Sequence, residues 1–258
     1  MKKKIAILIS GQIRIYKENL DFLKKIFSEF DYDIYATLWE NQIETEEFCN
    51  LYKIKNIKNI QQKNWEDKIR KIQYVFGEEN RSYQLVNIFH MWHSISENVK
   101  FLDEQFKISN INYDYVCRFR TDLFANKIPN NIQTQIVKLK NNEIIFPENL
   151  HSRGLNDLFF ICNFRTFLEF RNVMYYLDKF IEEKRPLSSE YFLYHFVKKN
   201  SLKIKIINNL LIDIFDVKNK SHKNYKLKPT KKAYIPLKDK ISLKYIKYKI
   251  RFLKKINN

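Results

Sequence analysis

The feature that most constrains the fold is an uninterrupted apolar run near the N-terminus, Ile5-Ala6-Ile7-Leu8-Ile9. Such a run is typical of a strand that is covered on both faces, as in the parallel sheets of α/β proteins. A stripe of apolar residues at helical spacing follows from Tyr16 to Phe30, and a second strand is predicted from Ile34 to Trp39. A strand-helix-strand unit within one sheet implies a right-handed crossover and parallel strands.

A second apolar segment, Tyr115 to Phe119, leads directly into a group of charges, Arg118, Arg120 and Asp122. Open α/β sheets bind their ligands at the carboxyl ends of central strands. An arginine at this place can fork onto a diphosphate, and Asp122 can hold a ribose hydroxyl or a divalent metal. An edge strand followed by a surface ion pair would produce the same pattern, so the segment alone leaves both interpretations open.

The remaining periodicity predicts alternating helices and strands along most of the chain. Helices are predicted around Trp65 to Phe76, Leu85 to Phe106, Phe167 to Ile181 and Ser189 to Lys199, and strands at Ile57 to Ile60, Glu143 to Phe146, Asp157 to Cys162 and Lys203 to Ile207. Ser188 or Ser189 is the predicted N-cap of the last helix. We therefore predict an α/β fold with a Rossmann-type open sheet, mostly parallel, and helices on both faces.

The charge divides the chain into two parts. The whole chain carries a net charge of +18, but residues 217–258 contribute +14 of it and residues 1–216 only +4. We predict a main domain over residues 1–216 and a lysine-rich tail over residues 217–258. Residues 241–256 place apolar side chains at helical spacing among lysines, which is typical of a basic amphipathic helix. That helix can lie on an anionic membrane surface or pack on its own domain, since both need the same pattern.

The composition also restricts where the protein acts. Three widely separated cysteines, Cys49, Cys117 and Cys162, indicate a reducing compartment without a disulfide framework. The N-terminal apolar run is too short for a secretion signal, and no stretch of about 18 apolar residues is present that would predict a membrane-spanning helix.

Glycine is scarce, with only Gly11, Gly77 and Gly154 in the chain, so each is expected to meet a backbone requirement. Ser10 and Gly11 end the first strand, where the backbone could approach a nucleotide, and Arg14 is close enough in sequence to reach its phosphates. The further glycines of a P-loop or a dinucleotide fingerprint are missing. A plain strand-to-helix turn would explain Gly11 equally well.

Several other residues are candidates with simpler structural explanations. Asp157 could face a cleft as a catalytic carboxylate or merely cap a turn, and Glu190 could act on a substrate or merely favour the first turn of a helix. Trp39 could stack on a sugar or belong to the core. His90 and His93 lack partners at metal-ligand spacing, so a metal site there is not expected.

Five segments, in order, resemble WavE-type and related bacterial surface-polysaccharide glycosyltransferases. These are Ile9-Ser10-Gly11-Gln12-Ile13-Arg14, the strand that ends in Trp39, the block from Tyr113 to Asp122, Asn156-Asp157-Leu158-Phe159-Phe160, and Ser189-Glu190-Tyr191-Phe192-Leu193 with the strand after it. The resemblance covers about residues 5 to 207. It implies a GT-A-like fold, a nucleotide-sugar donor, and a growing capsule, lipopolysaccharide or lipooligosaccharide as acceptor.

The resemblance also implies roles for individual residues. Ser10, Gly11, Arg14, Arg118, Arg120 and Asp122 would bind the donor, Asp157 and Glu190 would be catalytic, and Trp39 and His151 would contact the acceptor. Arg-x-Arg-x-Asp stands in place of the usual Asp-x-Asp, so either arginine charge or Mg²⁺ or Mn²⁺ at Asp122 would neutralise the leaving diphosphate. The expected location is cytoplasmic, on the inner face of the cytoplasmic membrane, with the tail binding that surface and with no nucleic acid bound.

Two other classes of function compete with this interpretation. A non-catalytic protein that binds nucleic acid or another anionic surface would explain the basic tail, but not the charges at strand ends in a nearly neutral domain. A sugar-phosphate nucleotidyltransferase can share a similar nucleotide-binding half, but such enzymes use a glycine-rich first loop, and only one glycine is present here.

Overall fold

A computed structural model describes residues 2–76, 82–148, 154–185, 187–216 and 221–222. Its ten strands are β1 Lys4–Gly11, β2 Asp31–Trp39, β3 Asn56–Ile60, β4 Tyr115–Phe119, β5 Leu123–Lys127, β6 Glu143–Pro147, β7 Phe160–Asn163, β8 Lys203–Ile207, β9 Leu211–Asp216 and β10 Ser221–His222. Its helices are α1 Tyr16–Phe27, α2 Thr45–Tyr52, α3 Glu66–Phe76, α4 Ser82–Ser109, α5 Ile132–Val137, α6 Phe164–Leu168, α7 Val173–Glu182 and α8 Ser189–Lys199.

The main sheet has seven strands in the order β3-β2-β1-β4-β7-β6-β8. Strands β3, β2, β1 and β4 pair in parallel. Strand β7 is antiparallel to both of its neighbours, β4 and β6, and β8 is again parallel to β6. This confirms the predicted α/β class with a mostly parallel open sheet, and it confirms that β1 and β2 are parallel.

A hydrophobic core lies on each face of this sheet. Along β1, Ile5, Ile7 and Ile9 belong to one core and Ala6 and Leu8 to the other, as the two-residue period of a strand requires. The core that contains Ile7 also holds buried residues of α1, α2 and α5. The other core holds buried residues of α3, α4, α7 and α8. Helices therefore cover both faces, which explains why the strand sequence is apolar throughout.

A second, three-stranded sheet has the order β10-β9-β5 and is antiparallel. Strands β5 and β9 and the short helices α2 and α5 were not predicted from the sequence. In this sheet, Leu123 of β5 pairs with Ile214 of β9, which is distant in sequence. Such a strand is specified by a remote partner more than by its own composition. Ser221 and His222 lie in the segment predicted as tail, and they pair with the end of β9.

Two predicted elements differ in their bounds. The strand predicted to begin at Asp157 begins at Phe160, because an Asx turn occupies the preceding residues. In this turn the amide N–H of Leu158 donates to Asn156 Oδ1 at 2.9 Å. The helix predicted around residues 167–181 is divided, since a 3₁₀ turn at Glu169–Asn172 separates α6 from α7.

The N-cap prediction for α8 is confirmed: Ser188 Oγ accepts from the amide of Tyr191 at 3.1 Å.

Candidate functional site

A cleft of about 430 Å³ opens where β1 and β4 end. From β1 the chain proceeds outward to β2 and β3, whereas β4 lies on the other side of β1, so the strand order reverses between these two strands. Ligands of open α/β sheets bind outside the carboxyl ends of strands at such a reversal. The residues that line the cleft are Ser10, Gly11, Gln12, Arg14, Trp39, Gln62, Asn87, Ile88, His90, Met91, Ser94, Arg118, Arg120, Asp122, Asp157 and Ser189.

The loop after β1 has an unusual backbone at both of its ends. Gly11 has a φ of 91°, a conformation that residues with a side chain rarely adopt, which confirms that this glycine meets a backbone requirement. Ile15, immediately before α1, is left-handed with a φ of 43°, which is strained for a β-branched residue. Strained backbone persists only where the surrounding structure holds it in place, and it is concentrated at functional sites.

The side chain of Gln42 holds this loop in place. Its Oε1 accepts from the amide N–H of Ile13 at 2.6 Å, and its Nε2 donates to the carbonyl oxygens of Trp39 at 3.0 Å and Gly11 at 3.3 Å. The ends of β1 and β4 are joined directly as well, because the amide of Arg14 donates to Thr121 Oγ1 at 2.9 Å. The two strand ends therefore form one rigid rim of the cleft.

Arg118 is a buried cation that forms no ion pair with the described residues. It lies near the end of β4 and is only 3% exposed. Its guanidinium contacts neutral oxygens: Nε donates to the carbonyl of Asp157 at 3.0 Å and Nη1 to Ser10 Oγ at 3.4 Å. No Asp or Glu among the described residues forms an ion pair with it. Burial, with a smaller effect from Arg120, lowers the pKa of Arg118 to about 10, although Asp157 and Asp122 act in the opposite direction, so the side chain remains charged at neutral pH.

Asp122 lies beneath two further arginines. Arg120 donates to both of its carboxylate oxygens, from Nε at 2.9 Å and from Nη2 at 2.6 Å, and Arg14 Nη1 lies 3.8 Å from Oδ2. Burial by itself would raise the pKa of Asp122, but the charges of Arg120 and Arg14 outweigh it and hold that pKa below its usual value. Asp122 is therefore ionised at neutral pH.

Asp157 reaches the cleft from the loop before β7. The residue is 6% exposed, its main-chain carbonyl is anchored by Arg118, and its carboxylate accepts no hydrogen bond from the described residues. A carboxylate in this position can accept a proton from a bound hydroxyl group. Its place in a loop and not in a strand results from the Asx turn at Asn156.

Gly154 fixes the same loop against helix α8. The amide of Leu155 donates to the carbonyl of Glu190 at 3.1 Å, and a Cβ on Gly154 would lie 2.0 Å from that oxygen. Only glycine allows the two backbones to approach this closely. The helix presents Ser189 to the cleft, whereas Glu190 is not among the lining residues.

The wall formed by α4 was not predicted from the sequence. This helix lines the cleft with Asn87, His90, Met91 and Ser94. The polar members of this set lie beside the apolar stripe of α4, and nothing in their spacing distinguishes them from a solvated helix face. Burial lowers the pKa of His90, and its Nδ1 accepts from Trp65 Nε1 at 3.3 Å, so His90 is a neutral group in the wall.

Trp39 lines the cleft at the end of β2 but is only 7% exposed. Its ring stacks on His93, with centroids 6.4 Å apart, and meets His90 edge-on at 5.3 Å. Little of the indole surface is therefore open for stacking on a sugar. The other predicted acceptor residue, His151, lies outside the described residues, as does the predicted helix over residues 241–256.

The residues around Asp122 do not fit a divalent metal ion. Both carboxylate oxygens already accept hydrogen bonds from Arg120, and three guanidinium groups, from Arg14, Arg118 and Arg120, line the same cleft. Mg²⁺ and Mn²⁺ favour several oxygen ligands free of competing cations. Across the part of the chain that the structure describes, no group of three or more His, Cys, Asp or Glu side chains is arranged to hold a metal.

No family model matches the chain, and no curated protein matches it. Solved structures to which it is similar include a candidate nucleotide-diphospho-sugar transferase from Desulfovibrio desulfuricans G20, at 9% identity and a TM-score of 0.40, covering 80% of each chain. Another is the glycosyltransferase GlyE of Streptococcus pneumoniae TIGR4, at 10% identity and a TM-score of 0.41, covering 80% of this chain and 46% of that one. A third is a glycosyltransferase involved in glycosylation of the major capsid of PBCV-1, at 11% identity and a TM-score of 0.39, covering 79% and 81%.

The fold and the site together define this chain as an α/β protein with a mostly parallel open sheet and an arginine-rich cleft at its switch point. Of the solved structures named above, two are glycosyltransferases and one is a candidate nucleotide-diphospho-sugar transferase. Among the described residues, no helix is both long and apolar enough to cross a membrane.

Proposed function

We propose that this protein is a glycosyltransferase that moves a sugar from a nucleotide-sugar donor to a hydroxyl group of a growing capsule, lipopolysaccharide or lipooligosaccharide. The observation that carries the proposal is Arg118, a cation that is almost completely buried, charged at neutral pH and in no ion pair with the described residues. Burying an unpaired charge costs several kcal/mol. A ligand that brings phosphate to Arg118 would recover that energy, which favours a phosphate-bearing substrate.

The geometry of the neighbouring residues fits a diphosphate. Arg14 and Arg120 line the same cleft as Arg118, so three guanidinium groups surround the space outside β1 and β4. Ser10 and Gly11 form the rim, where the missing side chain of Gly11 leaves the backbone accessible to the nucleotide. Arginine is well suited to this task because its planar fork matches the oxygens of phosphate.

The chemistry assigns a separate task to Asp157. In an inverting transfer, the oxygen of the acceptor hydroxyl attacks the anomeric carbon, the bond between that carbon and the phosphate oxygen breaks, and the nucleoside diphosphate departs. Asp157 takes the proton of the attacking hydroxyl, and the guanidinium groups stabilise the negative charge that develops on the leaving oxygen. If Asp157 is not the base, Glu190 is the next candidate, since it follows Ser189 in the first turn of α8.

Arg14 offers the cleanest test of donor binding. Its side chain is 48% exposed, so Arg14→Ala is expected to fold normally, yet it removes one of the three cations. We expect the affinity for the best-bound nucleoside diphosphate to fall about tenfold, because a charge-assisted hydrogen bond contributes about 1.5 kcal/mol or more. Isothermal titration calorimetry with uridine, thymidine, cytidine, guanosine and adenosine diphosphates would measure the change.

Arg70→Ala is the matched control, because Arg70 is an exposed arginine on α3 whose partners are Glu66 and Asp67. It is expected to bind like the wild type. If none of the five nucleotides binds the wild-type protein, the transferase proposal fails. Salt-dependent binding of DNA or RNA would then favour a protein that binds anionic surfaces without catalysis.

For the lysine-rich tail, we infer a role in bringing the enzyme to anionic lipid on the inner face of the cytoplasmic membrane, where lipid-linked acceptors are found. Support comes from the sequence of residues 241–256 alone. Replacing Lys244, Lys247, Lys254 and Lys255 by serine is expected to abolish binding to vesicles containing phosphatidylglycerol, since each lysine near such a surface contributes about 1 kcal/mol.

Vesicle co-sedimentation measures this effect, and vesicles of phosphatidylcholine serve as the uncharged reference. Donor binding by the substituted protein should not change. Equal sedimentation of both proteins with anionic vesicles would mean that the tail does not provide the membrane contact.

A further inference from the structure

Asp122 occupies an interior position behind two arginines of the cleft. The exposure of the side chains increases outward, from 4% for Asp122 to 22% for Arg120 and 48% for Arg14. Both carboxylate oxygens accept hydrogen bonds from Arg120, and Arg14 Nη1 lies 3.8 Å from Oδ2. The carboxylate therefore supports the guanidinium groups from inside, while these groups face the space that the diphosphate would enter.

The charge balance of the cleft depends on this carboxylate. The cleft is lined by three guanidinium groups, from Arg14, Arg118 and Arg120, and by two carboxylates, Asp122 and Asp157, so a neutral side chain in place of Asp122 would remove one negative charge from it. At separations of several ångströms in a partly buried site, one unit charge changes the affinity for a bound anion about fivefold or more. Asp122 thus weakens the hold of the cleft on an anion, although it orders the arginines that bind that anion.

We propose that Asp122 is a positioning residue that acts through Arg120 and Arg14 as an internal counter-anion, and that it neither ligates a metal ion nor binds the ribose. This proposal rests on the proposed function. For a transferase, the role is useful because the diphosphate must leave after each reaction, and without this carboxylate the cleft would hold its product more tightly. Arginine charge, tuned by Asp122, takes the place of a divalent cation at the leaving group.

The three roles of Asp122 that the sequence left open predict different effects of Asp122→Asn. If Asp122 is a counter-anion, its neutralisation leaves more positive charge in the cleft. Pyrophosphate and nucleoside diphosphate then both bind at least about fivefold more tightly, with or without Mn²⁺. A lost metal ligand weakens the binding of both in Mn²⁺ and removes any dependence on the metal. A lost ribose contact weakens the binding of the nucleoside diphosphate only.

The experiment is isothermal titration calorimetry of the full-length protein with inorganic pyrophosphate and with the best-bound nucleoside diphosphate, each in EDTA and in Mn²⁺. Asp114→Asn is the matched control, because Asp114 is a carboxylate at the opposite end of β4 that pairs with Lys3. It should leave every affinity unchanged. Tighter binding of both ligands by Asp122→Asn supports the proposal, whereas weaker or unchanged binding overturns it.

Failure of the proposed function would look different, because the wild-type protein would then bind neither pyrophosphate nor any nucleoside diphosphate. Should Asp122→Asn fail to fold, electron paramagnetic resonance of Mn²⁺ with the wild-type protein in the absence of pyrophosphate provides a second test. A Mn²⁺ signal equal to that of a protein-free solution supports the counter-anion role. A signal that the protein diminishes would show a metal site and overturn it.

Discussion

Asp157→Asn is expected to lower the rate of sugar transfer by about 10²- to 10⁴-fold, the usual contribution of a general base. Asparagine has nearly the same shape as aspartate but cannot accept a proton at neutral pH. The main-chain carbonyl of residue 157 would still accept from Arg118 Nε, so the donor site should keep its geometry. Affinity for the nucleoside diphosphate is expected to be retained, because the three guanidinium groups that line the cleft stay in place.

The measurement is a single-turnover assay with radiolabelled nucleotide sugar, combined with calorimetry of donor binding. Asp114→Asn again serves as a control, since that carboxylate lies at the other end of β4 and should leave transfer unaffected. A large loss of rate with donor binding retained assigns Asp157 to the chemical step. Full activity of Asp157→Asn would exclude it as the base, and a large loss in Glu190→Gln would then assign that role to Glu190.

Gly154→Ala is expected to destabilise the protein by about 3 kcal/mol or more, which is the upper range for overpacking a rigid site. The new Cβ would lie 2.0 Å from the carbonyl oxygen of Glu190 and 2.7 Å from the amide nitrogen of Tyr191. Both atoms belong to the backbone of α8 and cannot move like a flexible side chain. The loop would have to leave the helix, which would break the hydrogen bond between Leu155 and Glu190.

Urea denaturation followed by circular dichroism would measure this loss, and Gly11→Ala provides the comparison. At Gly11 a Cβ would be 3.5 Å from Trp39 Nε1, an ordinary contact, so only the φ of 91° is unfavourable. That conformation costs about 1–2 kcal/mol for an alanine. Equal free energies of unfolding for the two variants would show that the close approach at Gly154 does not constrain the fold.

Local sequence determined most of the main sheet and its helices. The apolar run of β1 and the stripe on α4 predicted their elements because burial on one or both faces leaves a period in the sequence. The N-cap at Ser188 was predictable because it is local: its hydrogen bond to Tyr191 spans only three residues. The pair formed by Arg120 and Asp122 is also local, being two residues apart.

Only the tertiary structure decided how these parts form a site. The sequence places Arg118 beside Arg120 and Asp122, but it does not show that Asp122 binds Arg120, whereas no carboxylate of the described residues forms an ion pair with Arg118. Likewise, the α4 wall, the pairing of β5 with β9 and the approach of Gly154 to α8 join segments that are far apart in the chain. Such contacts depend on packing between remote elements, and a single sequence contains no local period that records them.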